Sequence, residues 1–287
     1  MHRHSIHPAP PLDRGHCTGV IGMPEINTLR SLKIMADGRY VAESCRIAVE
    51  GKTSMTCLPD VWQIAIYSCT DQDLAILRRA SQVDILGQAG SVLVSGAPAD
   101  IIRTVLDTSV VTTLFFMEGE AFWRSAINLS IRAGATARQT VERLIAPSKT
   151  ALAAFPETTL SFQRGQSWFG RAADAVDDIV KAIHCRAYTI QNALYVVRKG
   201  MASVRATLKE SAVLDTPSFM KDGVILRTDV TGLLCGEMVY ADLPLVHGTF
   251  RLAAQTVTAD NYSGAWQSMI TLMDEEAMPL HEWEGCL

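Results

Sequence analysis

The sequence lacks a long apolar run. Within its 287 residues, no uninterrupted apolar stretch approaches the roughly 20 residues that a membrane-spanning helix requires, and its start has no apolar core of a signal peptide. We therefore expect a soluble protein that has no membrane partner and is not exported by the signal-peptide route.

The sequence also lacks an excess of positive charge. It has 26 Lys and Arg against 30 Asp and Glu, a formal net charge of −4. Proteins that hold nucleic acid tightly use clustered Lys and Arg to displace phosphate counterions. The composition argues against such a role, and any contact with DNA is expected to be transient.

Closely spaced cysteine pairs are absent as well. The seven cysteines are Cys17, Cys45, Cys57, Cys69, Cys185, Cys235 and Cys286, with no C-x-x-C motif among them. Zinc sites and redox motifs use close pairs, and an odd, scattered set is typical of reduced thiols. We predict a chain made in a cytoplasm, without disulfides.

Residues 1–22 show no periodicity and are rich in His, Pro and Gly, and a second methionine, Met23, opens the patterned sequence. We interpret residues 1–23 as a flexible extension, and the true start, Met1 or Met23, stays open. The extension holds four histidines and a cysteine, types that bind transition metals, but a disordered tail is the preferred interpretation. These residues are His2, His4, His7, His16 and Cys17.

Alternating apolar and polar residues predict short β-strands in the next part of the chain. Leu29–Met35 is the first, Asp37 and Gly38 supply a turn, and Tyr40–Val49 is the expected hairpin partner. Further strands are predicted at Val61–Tyr67, Val83–Leu86, Ser91–Ser95, Ile101–Leu106 and Val110–Met117. With few helices between them, such strands indicate an antiparallel barrel or sandwich.

The middle of the chain carries helical patterns. Thr136 and Gln139 have the spacing of a capping box, which begins a helix that Pro147 ends. A second helix is predicted over 172–183, with apolar residues on one face and Asp and Lys on the other. We expect both helices to cover one side of a small α/β unit.

Strand patterns return after about residue 190 and end in the block Asp260–Trp266, a polar turn followed by an anchoring Trp, as at the closing of a β-barrel. The predicted fold is α+β, mainly β: two antiparallel β-barrel domains with an intervening small α/β domain. The predicted ranges are 24–128 for the first barrel, 129–190 for the α/β domain and 191–287 for the second barrel. The later strands are predicted at Ala193–Val197, Val224–Arg227, Met238–Tyr240, Gly248–Leu252 and Ser268–Met273.

Nothing in the sequence predicts a nucleotide site. Gly51, Lys52 and Thr53 lack the earlier glycine of a phosphate loop, because position 46 is Arg, and we place them between strands. Gly87, Gly90 and Gly96 lack dinucleotide-binding spacing and are interpreted as turns.

Acidic residues and histidines do not predict catalysis either. The acidic groups Glu118/Glu120, Asp177/Asp178 and Asp274/Glu275/Glu276 are interpreted as solvated surface. His184 adjoins Cys185 at a helix end, where the helix dipole favours the imidazolium and a lowered thiol pKa, but adjacent helical residues point in different directions. His247 and His281 are isolated. We therefore predict no catalytic, cofactor-binding or metal-binding residues.

Five segments form a recognisable succession after the first β-rich unit. They are Ile127–Thr136 leading into a helix, Arg164-Gly165 before the second helix, Ala193–Val197, Gly248–Leu252 and Asp260–Trp266. Together they resemble the tail-hub proteins of long-tailed bacteriophages, a family that includes the baseplate hubs of Mu-like and T4-like phages and, more distantly, the hub part of type VI secretion spike (VgrG) proteins. The resemblance covers roughly residues 24–287 as a pattern of spaced turns and strands.

The resemblance implies a structural, non-enzymatic protein. It implies two related β-barrels with an α/β domain between them, and a homotrimer whose six barrels form a pseudo-sixfold ring around the DNA channel. The implied location is the virion tail or baseplate, after synthesis in the host bacterial cytoplasm. Implied partners are the tail tube or distal tail protein, the spike or tip protein and, as a further candidate, the tape measure protein.

Two alternatives stay open. A distal tail or tube protein also uses β-barrels but forms hexameric rings, so subunit number separates it from a hub. A hydrolase on a β-rich scaffold would depend on His184 with Cys185, or on Glu118 with Glu120.

Overall fold

The computed structural model describes residues 31–55, 59–87, 90–106, 109–201, 204–230 and 232–274. The histidine-rich start lies outside these ranges, and so do Glu275, Glu276 and His281. In the described part, no helix is long and apolar enough to cross a membrane.

The first β unit is a sandwich around one core. Strands β1, β2, β5 and β6 form a four-stranded sheet in the order β2-β1-β5-β6, and β3, β4, β8 and β7 belong to a second, larger sheet. Buried side chains of both sheets share one hydrophobic cluster, among them Ile34 and Ile64. The elements are β1 (Lys33–Ala36), β2 (Arg39–Val41), β3 (Arg46–Ser54), β4 (Asp60–Tyr67), α1 (Asp71–Arg79), β5 (Val83–Leu86), β6 (Val92–Gly96), β7 (Asp100–Leu106) and β8 (Ser109–Glu118).

The strand alternation predicted for β4 is confirmed, because Trp62, Ile64 and Ile66 are all buried. The hairpin prediction is wrong in its second half. Strand β2 pairs with β1 across the Asp37-Gly38 turn but ends at Val41, and the chain then enters β3 in the other sheet. Alternation continues across the break, so the sequence does not reveal the change of sheet.

The placement of Gly51, Lys52 and Thr53 between strands is also wrong, because all three lie inside β3. Gly51 is the cross-strand partner of Trp62. A Cβ atom at position 51 would lie 1.9 Å from Cε3 of that indole. The glycine is therefore needed for packing against the tryptophan.

The middle unit packs two helices over short strands. Thr136 Oγ1 accepts from the Gln139 N–H at 3.2 Å and Gln139 Oε1 accepts from the Thr136 N–H at 3.1 Å, which confirms the capping box. Helices α3 and α4 share one core with β9, β12 and β13. The elements are α2 (Glu120–Trp123), β9 (Ala126–Ile131), α3 (Ala137–Ile145), β10 (Ala151–Ala154), β11 (Gln166–Arg171), α4 (Ala172–Ala182), β12 (Arg186–Ile190) and β13 (Ala193–Val197).

The last unit is built around one long strand, β18. Its elements are β14 (Val204–Lys209), β15 (Ser218–Met220), β16 (Gly223–Thr228), β17 (Met238–Leu243), β18 (Val246–Asp260) and β19 (Trp266–Met273). Strand β18 pairs with β17 along its first part, and with β19 on one side and β3 on the other along its later part. It thereby joins the last unit and the first into one ten-stranded sheet. Eight of its strands follow the path β15-β16-β19-β18-β3-β4-β8-β7, and β17 and β14 branch from β18.

The fold is α+β and mainly β, as predicted. The strand pairing of the described residues does not show closed barrels. In the described part of the chain the path of the large sheet is open, with β15 and β7 at its two ends and no pairing between them.

The polar turn predicted at Asp260 fastens β18 and β19 to the start of β3. Asp260 Oδ2 accepts from Arg46 at 2.6 Å, and its Oδ1 accepts from two backbone N–H groups of the turn. Asn261 accepts from the Ile47 N–H at 2.8 Å. Burial alone would raise the pKa of Asp260, but the Arg46 and backbone hydrogen bonds outweigh it and lower the pKa to about 2.

We expect Gly51→Ala to lower the free energy of unfolding by about 1–3 kcal/mol, because the new methyl group forces the buried Trp62 out of place. Urea unfolding followed by tryptophan fluorescence measures the change. The matched control is Gly232→Ala, where a Cβ meets nothing within 4 Å. Equal stability of the two variants would contradict the packing role of Gly51.

Candidate functional site

The His184 and Cys185 pair does not form a nucleophilic site. His184 is exposed, with a φ of 53° just beyond α4, whereas Cys185 is buried and its Sγ lies 3.3 Å from the Ile183 carbonyl oxygen. Burial raises the pKa of the Cys185 thiol, so the lowered pKa that the helix end suggested is wrong. The thiol is shielded and protonated.

The acidic groups divide between the surface and the interior. Asp177 forms an ion pair with Lys181 at 2.8 Å on an outer face of α4, and Asp178 is exposed, as predicted. Glu118 contradicts the prediction of a solvated surface because its side chain is buried. It follows Leu114 and Phe116 on the inward face of β8, since alternate residues of a strand share a face.

Glu118 and Glu120 are not a working pair. Gly119 lies between them with a φ of 76°, and this left-handed turn starts α2. Glu120 is partly exposed there and forms an ion pair with Arg124. The partner of Glu118 is instead Asp60, which lies directly across from it in the β4–β8 register and is also buried.

We call Asp60, Trp62, Glu118 and Cys235 the acidic junction. Burial and the neighbouring Glu118 carboxyl raise the pKa of Asp60 to about 8. Burial raises the pKa of Glu118 to about 7, and the hydrogen bond from the Gln191 N–H offsets only part of this effect. Both carboxyl groups therefore take up protons near neutral pH.

The polar atoms of the acidic junction are incompletely satisfied. Asp60 Oδ1 accepts from the Ser54 N–H at 2.9 Å, and Cys235 Sγ lies 3.2 Å from a threonine hydroxyl of β3. Asp60 Oδ2, Glu118 Oε1 and Trp62 Nε1 have no hydrogen-bond partner. Each buried polar atom without a hydrogen bond lowers stability by about 1–3 kcal/mol. Burial of a charged carboxylate costs more than burial of a neutral carboxyl group, so the neutral form is favoured here.

A cavity of about 40 Å³ adjoins Glu118. It has room for a few water molecules and is far smaller than the roughly 300–1,000 Å³ of pockets that bind small organic molecules. Its walls come from all three units: Thr53, Trp62, Ser91, Val92, Leu93, Ile190, Gln191, Gly232, Leu233, Leu234, Cys235 and Gln255. Within the described residues, no three His, Cys, Asp or Glu side chains are grouped to hold a metal ion.

The turn of the β12–β13 hairpin locks the units together at this place. Asn192 Oδ1 accepts from the Gly119 N–H at 3.0 Å, and its Nδ2 donates to the Ser95 carbonyl at 3.0 Å. The Trp123 indole N–H donates to the Thr189 hydroxyl at 3.0 Å. The acidic junction therefore lies at the meeting point of the first, middle and last units.

The hairpin itself serves two cores. Ala187 and Leu194 pack in the core of the middle unit, and Tyr188 and Ile190 pack in the core of the last unit. Since successive strand residues point to opposite faces, one two-stranded element forms a wall common to both. The relative position of the two units is fixed by this shared wall.

The open ends of the large sheet carry exposed apolar side chains. On β7 these are Ile102, Val105 and Leu106, and on β15 they are Phe219 and Met220. Large exposed apolar patches mark interaction sites in soluble proteins. The sequence alone did not reveal them, because a strand that packs on a partner has the same pattern as one that packs on its own core.

No family model and no curated protein matches the chain. Solved structures do match in fold. The tail protein from Neisseria meningitidis MC58 has 11% identity and a TM-score of 0.64, with 86% of this chain and 97% of that chain covered. The 43 kDa tail protein of prophage MuSo2 from Shewanella oneidensis has 9% identity and a TM-score of 0.66, with 87% and 100% covered.

A third match is an Escherichia coli component of the type VI secretion system that is structurally similar to T4 bacteriophage tail proteins. It has 10% identity and a TM-score of 0.60, with 86% of this chain and 75% of that chain covered. At such low identity the likeness establishes the fold. The chain therefore has the fold of phage tail proteins, as the sequence resemblance implied.

We expect the acidic junction to make stability fall as pH rises from about 4 to about 8. Carboxyl groups of an unfolded chain have pKa values near 4, so between these limits the folded chain, with pKa values of about 8 and 7, binds more protons than the unfolded chain. In Asp60→Asn and Glu118→Gln, the loss of stability between low and high pH should be smaller than in the wild type. Urea unfolding midpoints at pH 5 and pH 8 measure it.

The control for this experiment is Asp178→Asn, which neutralises an exposed carboxylate and should leave the pH dependence unchanged. If both junction variants follow the wild-type pH dependence in parallel, the carboxyl groups of Asp60 and Glu118 are not held neutral by burial.

Proposed function

We propose that the chain is a tail or baseplate hub protein of a phage or phage-like particle. It acts as a structural, non-enzymatic component in the virion tail. The observation that carries the proposal is the fold shared over 86–87% of the chain with the Neisseria tail protein and the prophage MuSo2 tail protein. The likeness to a type VI secretion component is consistent with a place near the spike.

The proposed assembly is a homotrimer whose six β units form a pseudo-sixfold ring around a channel for DNA. The architecture supports it, because two β-rich units in one chain supply two positions of such a ring. Strand β18 joins them in one continuous sheet, which holds the two positions at a fixed spacing. A closed ring of identical subunits also needs a heterologous contact between different surfaces of the chain.

We propose three domains for the subunit, with ranges near 24–128, 129–190 and 191–287. Three hydrophobic clusters of buried residues support three units, although the β12–β13 hairpin contributes to two of them. The proposed neighbours are the tail tube or distal tail protein on one side and the spike or tip protein on the other. The tape measure protein is a further candidate, and DNA passes only transiently.

The ring is tested by the absolute mass of the purified protein from light scattering, followed by class averages in the electron microscope. We expect three times the chain mass of 31.3 kDa and six density lobes around a central hole. A parallel sample that begins at Met23 shows whether the histidine-rich start affects assembly. A hexamer indicates a tube or distal tail protein instead, and a monomer at every accessible concentration contradicts the proposed assembly.

A further inference from the structure

The acidic junction holds two buried carboxyl groups without a buried positive charge beside them. Asp60 and Glu118 are 4% and 2% exposed and lie directly opposite each other in the β4–β8 register. Lys52 attracts the Asp60 carboxyl group, but it lies on the exposed face of β3. Buried charges in proteins are paired with an opposite charge or bind a metal ion. The ionised form of this pair therefore needs a cation that the neighbouring side chains do not supply.

Each of the two carboxyl groups is held by the main chain and keeps one oxygen without a partner. The Ser54 N–H donates to Asp60 Oδ1 at 2.9 Å, and the Gln191 N–H donates to the Glu118 carboxyl group. Asp60 Oδ2 and Glu118 Oε1 are buried and have no hydrogen-bond partner. The main-chain hydrogen bonds fix the position of each carboxyl group, and the remaining oxygens are available as ligands.

The cavity of about 40 Å³ beside Glu118 has room for a small ligand. A water molecule needs roughly 10–15 Å³ of such space, so about three fit. Glu118 and Thr53 contribute a carboxyl and a hydroxyl group to the wall, and the described wall contains no Lys, Arg or His. The wall also includes Gln191 and Gly232, which are exposed, so the cavity is open to ions from the solvent. Its size and its polar groups suit one ion with water ligands.

The donor atoms of the acidic junction favour a hard divalent cation. Carboxylate, hydroxyl and water oxygens suit Mg²⁺ and Ca²⁺, and Mg²⁺ is commonly held by one or two carboxylates with water in its remaining positions. Zinc sites instead use several Cys and His ligands. Cys235 is the one thiol in the described wall, and burial raises its pKa to about 12, so it stays protonated.

We propose that the acidic junction binds one hard divalent cation, Mg²⁺ or Ca²⁺, through Asp60 Oδ2 and Glu118 Oε1. Water molecules in the cavity complete the coordination. The ion replaces the protons that otherwise neutralise the two carboxyl groups, so cation binding and protonation compete. Because the cavity wall comes from all three units, the bound ion fastens them to one another. This site goes beyond the hub function and does not depend on the proposed ring.

The site is tested by urea unfolding of the full chain at pH 8 and pH 5, in a chelator and with added Mg²⁺ or Ca²⁺. We expect at least one of the ions to raise the unfolding midpoint of the wild type at pH 8. At a free ion concentration of about 100 times the dissociation constant, the ratio of folded to unfolded chain rises about 100-fold. At pH 5 the rise should be much smaller, because protons occupy both carboxyl groups. No rise at pH 8 with either ion overturns the proposal.

Neutral variants locate the ion. Asp60→Asn and Glu118→Gln should lose most of the stabilisation by the ion at pH 8, since each removes one of the two charged ligands. The matched control, Asp178→Asn, neutralises an exposed carboxylate and should keep the wild-type response. If both junction variants respond to the ion as strongly as the wild type, the ion binds elsewhere on the surface and the proposal is wrong.

A second measurement detects the ion directly and does not need the carboxyl variants to fold. Tb³⁺ replaces Ca²⁺ at oxygen sites, and its emission is sensitised by a nearby indole, here that of Trp62. We expect Tb³⁺ emission from the wild type on excitation of tryptophan, its displacement by excess Ca²⁺, and its loss in Trp62→Phe. Circular dichroism checks that this variant is folded. Emission that is equal in the wild type and in folded Trp62→Phe contradicts a site at the acidic junction.

Discussion

The pairing of β18 with strands from both β units is the constraint on which the rest of the structure depends. Its first residues pair with β17, and its later residues lie between β19 and β3. Through this one strand, the ten-stranded sheet is continuous from β15 to β7. The two β units are therefore parts of one continuous sheet, which sets their relative orientation.

The acidic junction lowers the stability of that arrangement. Asp60 and Glu118 are buried side by side where the three units meet, and three polar atoms of the acidic junction have no hydrogen bond. Such a site costs stability, and neutral carboxyl groups reduce the cost. The middle unit is nevertheless held by Asn192, which bonds to both Gly119 and Ser95. Hydrogen bonds from the hairpin turn thus secure a junction that its carboxyl groups weaken.

Much of the fold follows from local patterns in the sequence, and the exceptions have physical reasons. Alternation identifies β4, and the capping box identifies the start of α3, because both signals are local. Helix α1 is not predicted from the sequence, because its nine residues bury only Leu74 and Leu77 and give a weak apolar pattern. The burial of Glu118 is not predicted, because the predicted strand stops one residue early, at Met117. The pairing of β3 with β18 depends on residues some 200 positions apart, which no local pattern encodes.

That long-range pairing has a consequence for how the chain is made. Val257, Ala259 and Trp266 belong to the hydrophobic core of the first unit, together with residues from Leu32 to Phe116. During synthesis from the N-terminus, the ribosome must therefore complete almost the entire polypeptide before this first core can close. Until then β3 lacks its partner strand β18, and the core of the first unit lacks Val257, Ala259 and Trp266. Nascent chains should consequently depend on chaperones, and truncated products should aggregate rather than accumulate as folded N-terminal fragments.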